Sequence, residues 1–255
     1  MLVAIDIDGT LIAAEDQDVE QKQALTDLGS LVDRRGARIV LATGRSLAQT
    51  LELVDLVRRL PLFGIVANGG AEVFTSSDGR FERQADYEAS VGETLEPQCR
   101  EELRRMFAAE GAVWLQEPER QFPGKLSFYV RADAVPTLRA RIAHARGLFP
   151  ACDFLLSYNE PAKGYHYFDV QSKWATKYTA LQFVARRIGV SVLDMIYFGD
   201  NGNDVPCLRH IPRSYLIETH LESLRQDGHE IDWDRIRVLD SPGARSIVQV
   251  LRSVI

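Results

Sequence analysis

The chain has no apolar run of membrane-spanning length, and its first residues carry neither a basic stretch nor a hydrophobic one of leader length. These absences lead us to expect neither a transmembrane helix nor a secretory signal. Cysteine is scarce. Cys99, Cys152 and Cys207 are odd in number and far apart, which excludes a disulfide framework and a zinc-type ligand spacing. Isolated thiols of this kind are expected to be buried or half-buried, and they fit a reducing, cytoplasmic setting. Positive charge is not in excess either: 30 Lys and Arg face 36 Asp and Glu, for a net charge of −6. That balance argues against nucleic acid or an anionic membrane as partner. It also means that a phosphate site here needs local positive charge from metal, Lys, Arg or backbone amides. Repeats and low-complexity tracts are missing, and 255 residues suffice for a substantial core in one or two domains.

What is present begins at the first strand. Leu2-Val3-Ala4-Ile5 is a short apolar run of the kind that a strand buried on both faces requires. It ends in Asp6-Ile7-Asp8-Gly9-Thr10, so two acids fall at a strand's carboxyl end, where open α/β sheets place their ligands. The two-residue period of a strand puts Asp6 and Asp8 on one side. Close carboxylates repel unless one is protonated or a cation sits between them. Mg²⁺, a hard ion that prefers oxygen ligands and phosphates, suits that place. The plainer reading is a turn held by local Asp hydrogen bonds, and the rest of the chain weighs against it.

Periodicity predicts a helix over 19–35, a strand over 38–42 running into Thr43-Gly44-Arg45-Ser46, and a Ser46-capped helix over 47–59. A strand over 64–67 ends in Asn68-Gly69-Gly70, and a hairpin follows around Ser76-Ser77-Asp78-Gly79. This βαβαβ order implies a parallel sheet. The pattern then changes to a helix over 94–110, strands over 113–116 and 126–131, a helix over 135–148, and strands over 154–158 and 165–170. Such an αββαββ block predicts a small antiparallel sheet with helices on one face. The parallel pattern returns with a helix over 176–188, a strand over 195–198, a helix over 205–209, strands over 214–217 and 237–239, and a helix over 244–254. The expected class is α/β, with a core domain of residues 1–82 and 171–255 and an inserted α+β domain of residues 83–170.

Polar clusters close three of the predicted parallel strands: Asp6 with Asp8, Thr43-Gly44-Arg45, and Asp200 with Asn203 and Asp204. Parallel strands end along one edge, so these clusters are expected to converge. A hydroxyl and N–H groups at a helix start make an anion site, and Asp200 and Asp204 complete an oxygen-rich shell with Asp6. Lys177, near the start of a returning helix, is the leading cation for the phosphate's other side. Lys163 and Lys173 compete with it, although the default for a single lysine is a solvated surface charge. Together these groups point to phosphoryl transfer. One carboxylate attacks phosphorus, and the other protonates the leaving oxygen and later activates water.

Taken in order, Asp6-Ile7-Asp8-Gly9-Thr10, Thr43, Lys177, and Gly199-Asp200 with Asn203-Asp204 resemble the motifs of the haloacid-dehalogenase-like (HAD) phosphatase superfamily, over essentially the whole chain. The resemblance implies a Rossmann-like core, Asp6 as nucleophile, Asp8 as general acid and base, and Thr43, Gly44, Lys177 and Asn203 around the phosphate. It also implies Mg²⁺ held by the Asp6 carboxylate, the Asp8 main-chain carbonyl and Asp200, with direct or indirect support from Asp204. The αββαββ insertion resembles the C2B cap of subclass IIB, which includes Cof-type sugar phosphatases, sucrose-phosphate phosphatase and phosphomannomutase. Residues 119–130 are similar to the sucrose-phosphate phosphatase cap strand, with Lys125 as the basic residue before Ser-Phe-Tyr-Val. Three features depart from the family pattern: a second glycine in Asn68-Gly69-Gly70, Tyr178 after the lysine, and a short acidic loop unlike that of a mutase. The expected protein is a Mg²⁺-dependent phosphatase, monomeric or a small homo-oligomer, acting on a phosphorylated sugar. Arg45, Asn68, Lys125, Lys163 and His166 are the candidates for substrate contact. A phosphomutase and a non-catalytic sugar-phosphate-binding module are the alternatives.

Overall fold

The computed structural model describes residues 1–12, 19–77, 79–91, 95–108, 111–159 and 161–255. Its elements run β1 (Leu2–Ile5), α1 (Val19–Arg34), β2 (Arg38–Ala42), α2 (Leu47–Leu51), α3 (Val54–Arg59), β3 (Leu62–Ala67), β4 (Glu72–Ser77), β5 (Arg80–Arg83) and α4 (Ala85–Val91). The inserted block follows: α5 (Pro97–Ala108), β6 (Val113–Leu115), β7 (Lys125–Arg131), α6 (Val135–Leu148), β8 (Cys152–Ser157) and β9 (Tyr165–Ser172). The chain then continues through α7 (Lys177–Arg187), β10 (Met195–Gly199), α8 (Val205–His210), β11 (Arg213–Ile217), α9 (Leu221–Gln226), β12 (Arg237–Leu239) and α10 (Ala244–Val254).

The large sheet has the order β12-β11-β10-β1-β2-β3-β4-β5. Every pairing from β12 to β3 is parallel, and β4 and β5 add antiparallel strands at one edge. From β1 the chain steps outward through β2 and β3. After the insertion it steps the other way, from β10 to β12. The order therefore reverses between β1 and β10, and at such a reversal the loops leave in opposite directions and open a crevice at the strands' carboxyl ends.

Alternation along β1 fills both faces of this sheet. Leu2 and Ala4 pack with Leu181 and Leu208, whereas Val3 and Ile5 pack with Leu28, Ile247 and Leu251. The second sheet, β6-β7-β9-β8, is antiparallel throughout. Its apolar face carries Leu126, Phe128, Phe168 and Val170 against Phe107, Leu138 and Ile142 of α5 and α6. The fold is thus α/β with a separate antiparallel sheet, as the sequence pattern indicates. Among the described residues, no helix is long and apolar enough to cross a membrane.

The single helix expected over 47–59 is broken. Leu53, at φ −78° and ψ 63°, leaves helical geometry and separates α2 from α3. The helix expected over 94–110 appears as α5; its expected first and last residues, Thr94 and Glu110, lie outside the described residues, as does the turn residue Asp78. Helices α4 and α9 were not read from the sequence: seven and six residues barely display a 3.6-residue period, and neither follows one of the three polar strand-end clusters, as α8 does.

The second glycine of Asn68-Gly69-Gly70 has a physical reason. Gly70 has φ +103°, and a Cβ there would lie 2.1 Å from the Thr176 carbonyl carbon and 2.4 Å from the Lys177 amide nitrogen. The β3–β4 turn therefore rests directly on the start of α7. Gly70→Ala is expected to displace that helix start and to lower the unfolding free energy by about 2–4 kcal/mol, through backbone strain and overpacking together. Urea denaturation measures this, and a loss below about 0.5 kcal/mol would contradict the close approach.

Candidate active site

The crevice between β1 and β10 is where the acids converge. The Asp6 N–H donates to the Phe198 carbonyl (2.9 Å), which extends the β1–β10 pairing and leaves the carboxyl group at the strand end. The Thr10 hydroxyl donates to Asp200 Oδ1 (3.0 Å). Gly9, at φ +79°, brings its Cα so close that a Cβ would stand 2.4 Å from Asp200 Oδ2. The turn after β1 and the loop after β10 are thereby interlocked. Asp6, Asp200 and Asp204 are buried, and each offers a carboxylate oxygen within 4.8 Å of the others.

Lys177 is the first residue of α7, whose N-cap Thr176 accepts the Thr179 N–H (3.2 Å). The ammonium group is fully buried and donates to Asp6 Oδ1 (2.6 Å), Asp204 Oδ1 (2.6 Å) and Asn203 Oδ1 (3.2 Å). Burial by itself pulls this lysine down, but Asp204 and Asp6 outweigh it and hold the ammonium above its ordinary range. Burial also pushes the Asp6 carboxyl up to about 7; Lys177 opposes that rise, while Asp204 and Asp8 reinforce it. Asp200 is raised too, first by burial and then by its acidic neighbours.

Three buried carboxylates share one lysine, which leaves negative charge uncompensated and fits a divalent cation. The three acids are not equivalent. Asp204 accepts from Lys177 and the Tyr197 hydroxyl on Oδ1, and from the Asp200 and Asn201 amides on Oδ2. A carboxylate has about four lone-pair sites, so Asp204 is already saturated and braces the loop and the lysine. Asp6 Oδ2 and Asp200 Oδ2 accept no hydrogen bond from another described residue. These are the oxygens free for a metal or a phosphorus atom.

Asp8 stays close enough to Asp6 to raise the Asp6 carboxyl, but strand alternation is not what places it. Strand β1 ends at Ile5, and Leu11 and Ile12 N–H groups fold back onto the Asp6 and Ile7 carbonyls, so strand alternation no longer governs residue 8. The Asp8 side chain is 57% exposed and lies against Arg45, which donates from Nε to Oδ2 (2.8 Å) and from Nη2 to Oδ1 (2.6 Å). Those hydrogen bonds raise Arg45 above its usual value. Thr43 is fully buried, its hydroxyl oxygen accepting the Arg45 N–H (3.1 Å). Gly44 abuts the acidic loop, since a Cβ there would lie 3.5 Å from Asn203 Nδ2. Asp6, the Thr43-Gly44 loop, Lys177, Asp200, Asn203 and Asp204 therefore share one sheet edge.

The second sheet covers this edge. Asn201 accepts the Tyr158 N–H (2.8 Å) and donates to the Tyr158 carbonyl (2.9 Å), and Ser157 Oγ accepts the Asn203 N–H (3.1 Å). On another side, Arg120 donates to the Gly44 carbonyl (3.1 Å) and to Gln49 Oε1 (2.8 Å). Lys125 is buried, paired with Asp169 (3.0 Å) and within 3.4 Å of the Asn68 carbonyl. Asn68, at φ +51°, is buried as well, and its amide nitrogen donates to Glu72 (2.5 Å).

Register places Lys125 opposite Gln171 and Ser127 opposite Asp169, so all four lie on one face of the β7–β9 pair. Ser127 Oγ, Asp169 Oδ1, Gln171 Oε1 and the nearby Asn68 Oδ1 are buried without a hydrogen-bond partner. Four such orphans beside one another are unusual, because each buried polar group left unpaired costs about 1–3 kcal/mol. His166 falls on the alternate face of β9, where its Nδ1 accepts the Asn159 N–H (3.0 Å) and its ring packs on Tyr158. Lys163 is exposed. His166 is thus not brought to the crevice, and Lys163 makes no hydrogen bond or ion pair with a described residue of it. Sequence reasoning missed Ser127, Asp169 and Gln171. The signal was there in Lys125-x-Ser127 and Asp169-x-Gln171, the polar alternates of two strands whose other residues are core.

The family model described as sucrose-6F-phosphate phosphohydrolase matches residues 1–253. A HAD-like hydrolase of Nitrosococcus oceani is 27% identical over 235 residues, 89% of this chain but 61% of that protein, so the chain spans less than two thirds of this relative's length. Among solved structures, the sucrose-phosphatase of Synechocystis sp. PCC6803, in complex with sucrose and phosphate, superposes with a TM-score of 0.77 at 20% identity, covering 99% of this chain and 97% of that one. A HAD subclass IIB sugar phosphatase gives a TM-score of 0.64 at 17% identity, covering 99% and 98%. At these identities the structural likeness establishes the fold, and it is the same mixed α/β architecture. The whole-length family match goes further: the chain belongs to the sucrose-6F-phosphate phosphohydrolase family, within the haloacid-dehalogenase-like superfamily.

Proposed function

We propose that this protein is a Mg²⁺-dependent phosphatase that hydrolyses a phosphorylated sugar through an aspartyl-phosphate on Asp6. The observation that carries the proposal is Asp6 itself: a buried carboxylate at the switch point of a parallel sheet, with one oxygen held by Lys177 and the other free. In this reading residues 1–82 and 171–255 form the catalytic core, and residues 83–170 form the cap.

The free Asp6 oxygen attacks phosphorus as the bond to the sugar oxygen breaks, and Asp8 supplies the proton that the departing oxygen takes. The Asp8–Arg45 pair must open first. An arriving phosphate dianion competes for the guanidinium, and the Asp8 carboxylate so released takes a proton from solvent, which it then passes to the departing oxygen. Asp8 then accepts a proton from water as the water oxygen bonds to phosphorus, and the Asp6–phosphorus bond breaks to release phosphate. Thr43, Lys177 and Asn203 hold the phosphoryl oxygens meanwhile, because Lys177 keeps its charge at any working pH. Asp6 and Asp200, with the Asp8 main-chain carbonyl, would hold Mg²⁺, which supplies charge neutralisation on the transferring group. The cap contacts exclude bulk water while the acyl phosphate exists.

The sugar is assigned to the polar face of the cap. Hydroxyls of a sugar would satisfy the orphaned atoms of Ser127, Asp169, Gln171 and Asn68, and the phosphate and sucrose bound to the Synechocystis protein support that chemistry. Ser127→Ala discriminates this from a structural role. Removing an unpaired buried hydroxyl is expected to leave thermal stability unchanged or slightly higher, and to raise KM about tenfold with little change in kcat. A lowered Tm with unaltered KM would count against the assignment. The proposal as a whole is tested by phosphate release from sucrose 6-phosphate, trehalose 6-phosphate and hexose phosphates. Turnover that EDTA abolishes is expected for at least one of them, and no release from any of them with Mg²⁺ present would refute it.

Metal binding should also be proton-linked. The Asp6 carboxyl, pushed up to about 7 by burial, must lose its proton to serve as a ligand. Mg²⁺ affinity is therefore expected to fall up to about tenfold per pH unit below pH 7 and to level off above it. Calorimetric titrations between pH 5.5 and 8.5 read this directly, and a flat profile would contradict it.

A further inference from the structure

A second concentration of positive charge lies away from the crevice. Arg213, Arg235 and Arg237 line a cavity of about 470 Å³ together with Ser214, Tyr215 and Val254. Arg213 opens β11 beside Ile196, and Arg237 opens β12, so the cavity sits toward the amino ends of β11 and β12, whereas the acids follow the carboxyl ends of β1 and β10. Arg235 donates to the carbonyls of Ile211 (2.6 Å), Leu208 (2.5 Å) and Arg209 (2.9 Å), and Arg213 donates to the Val254 carbonyl (2.9 Å). Arg237 lies over the Tyr215 ring (5.9 Å) and within 3.5 Å of its hydroxyl. All of these partners are main-chain carbonyls or a tyrosine; among the described residues, none of the three guanidiniums has a carboxylate partner.

The plainer account is helix capping, since Arg235 closes the end of α8 and Arg213 the end of α10. It accounts for Arg235 and for one N–H of Arg213. It does not account for Arg237, nor for three like charges around open space in a chain of net charge −6. Carbonyl anchoring fixes the planes of two forks while leaving other N–H groups of each unused, which is the pre-organisation that a tetrahedral oxyanion requires. The volume falls within the range of about 300–1,000 Å³ usual for small-molecule sites. Tyr215 is buried, its ring stacked on Phe198 (4.9 Å), so it offers no open face to a nucleobase. We propose that this cavity is a second anion site, separate from the catalytic crevice, which takes a compact phosphoryl anion, either inorganic phosphate or the phosphoryl group of a small metabolite. The inference does not depend on the phosphatase reading.

The full chain is titrated in EDTA, where the buried acids of the crevice repel a dianion and the arginine cavity does not. Inorganic phosphate and methylphosphonate are the probes, followed by calorimetry and by thermal melting. One equivalent is expected to bind and to raise Tm. Binding of both probes identifies a phosphoryl group carrying an organic remainder as an acceptable ligand, and binding of phosphate alone identifies the free anion. Arg237→Gln is expected to weaken binding about tenfold or more without changing Tm in the absence of anion or the rate of phosphate-ester turnover. Arg213→Lys retains the charge and the Val254 contact but loses the fork, and is expected to weaken binding similarly. Failure of both probes to bind in EDTA, or wild-type affinity in Arg237→Gln, would overturn the proposal.

Discussion

Asp6→Asn is expected to lower turnover by about four orders of magnitude or more, the scale on which removal of a nucleophile acts, while the metal-free protein becomes harder to melt. The two effects have one origin. Asp6 is buried beside Asp200 and Asp204, and its carboxyl is raised to about 7 by that burial and by the Asp204 charge, against the pull of Lys177. A carboxyl whose folded pKa exceeds its unfolded value binds its proton more tightly in the folded state. Stability then falls as pH rises from about 4 to about 7 and stays reduced above. An amide of the same shape carries no such charge and can still accept from Lys177. At pH 8 in EDTA the variant should melt roughly a few degrees higher than wild type, and the difference should shrink toward pH 5, where the wild-type group is protonated. Calorimetric melts at both pH values, with turnover measured alongside, decide the matter. A variant that keeps activity within tenfold, or that melts lower at pH 8, would show that Asp6 is neither the nucleophile nor a strained acid.

The crevice was legible in the sequence because parallel strands do the assembling. An apolar run that stops at Asp6, another that stops at Asp200, and a lysine heading a returning helix need only the rule that such strands end along one edge. The second sheet was less legible, for a reason visible in β7 and β9. Leu126, Phe128, Phe168 and Val170 declare the core face, but their polar alternates read as solvent-facing until the block docks on the core and buries them. His166, which stands out in the sequence, belongs to the apolar face, and Ser127, which does not, lies among the orphaned groups. The placement of Asp8 was legible only in part, for a related reason. The strand that would have set its direction ends three residues earlier, and the turn that replaces it is specified by contacts to Asp200 and Arg45, distant in sequence. The break at Leu53 and the stacking of Gly70 on Thr176 are likewise tertiary facts, of which the sequence shows only an extra glycine.

Lys177→Met has the largest expected effect on stability. The side chain is fully buried, and its ammonium is the positive group that Asp6 and Asp204 share; a methionine of similar volume fills the space and leaves the carboxylates without it. Removing one partner of a buried ion pair costs about 3–5 kcal/mol, because the remaining charge is stranded in a poor solvent. The pH dependence separates this cause from lost packing. Lys177 itself is held above its unfolded value, so its contribution is constant at every pH below about 10 and disappears only in strong base. Any variation in the deficit between pH 5.5 and 8 must therefore come from the carboxyls. Without Lys177 their folded-state pKa values rise further, the folded state holds protons that the unfolded state has released, and the deficit shrinks on acidification. Mg²⁺ at pH 8 should recover part of the lost stability by supplying charge at the same acids, but not the turnover, since no group then replaces the lysine on the phosphoryl oxygens. Urea denaturation at the two pH values, with EDTA or Mg²⁺, reads all of this. An equal deficit at both, indifferent to metal, would mean that Lys177 contributes bulk to the core rather than charge to the site.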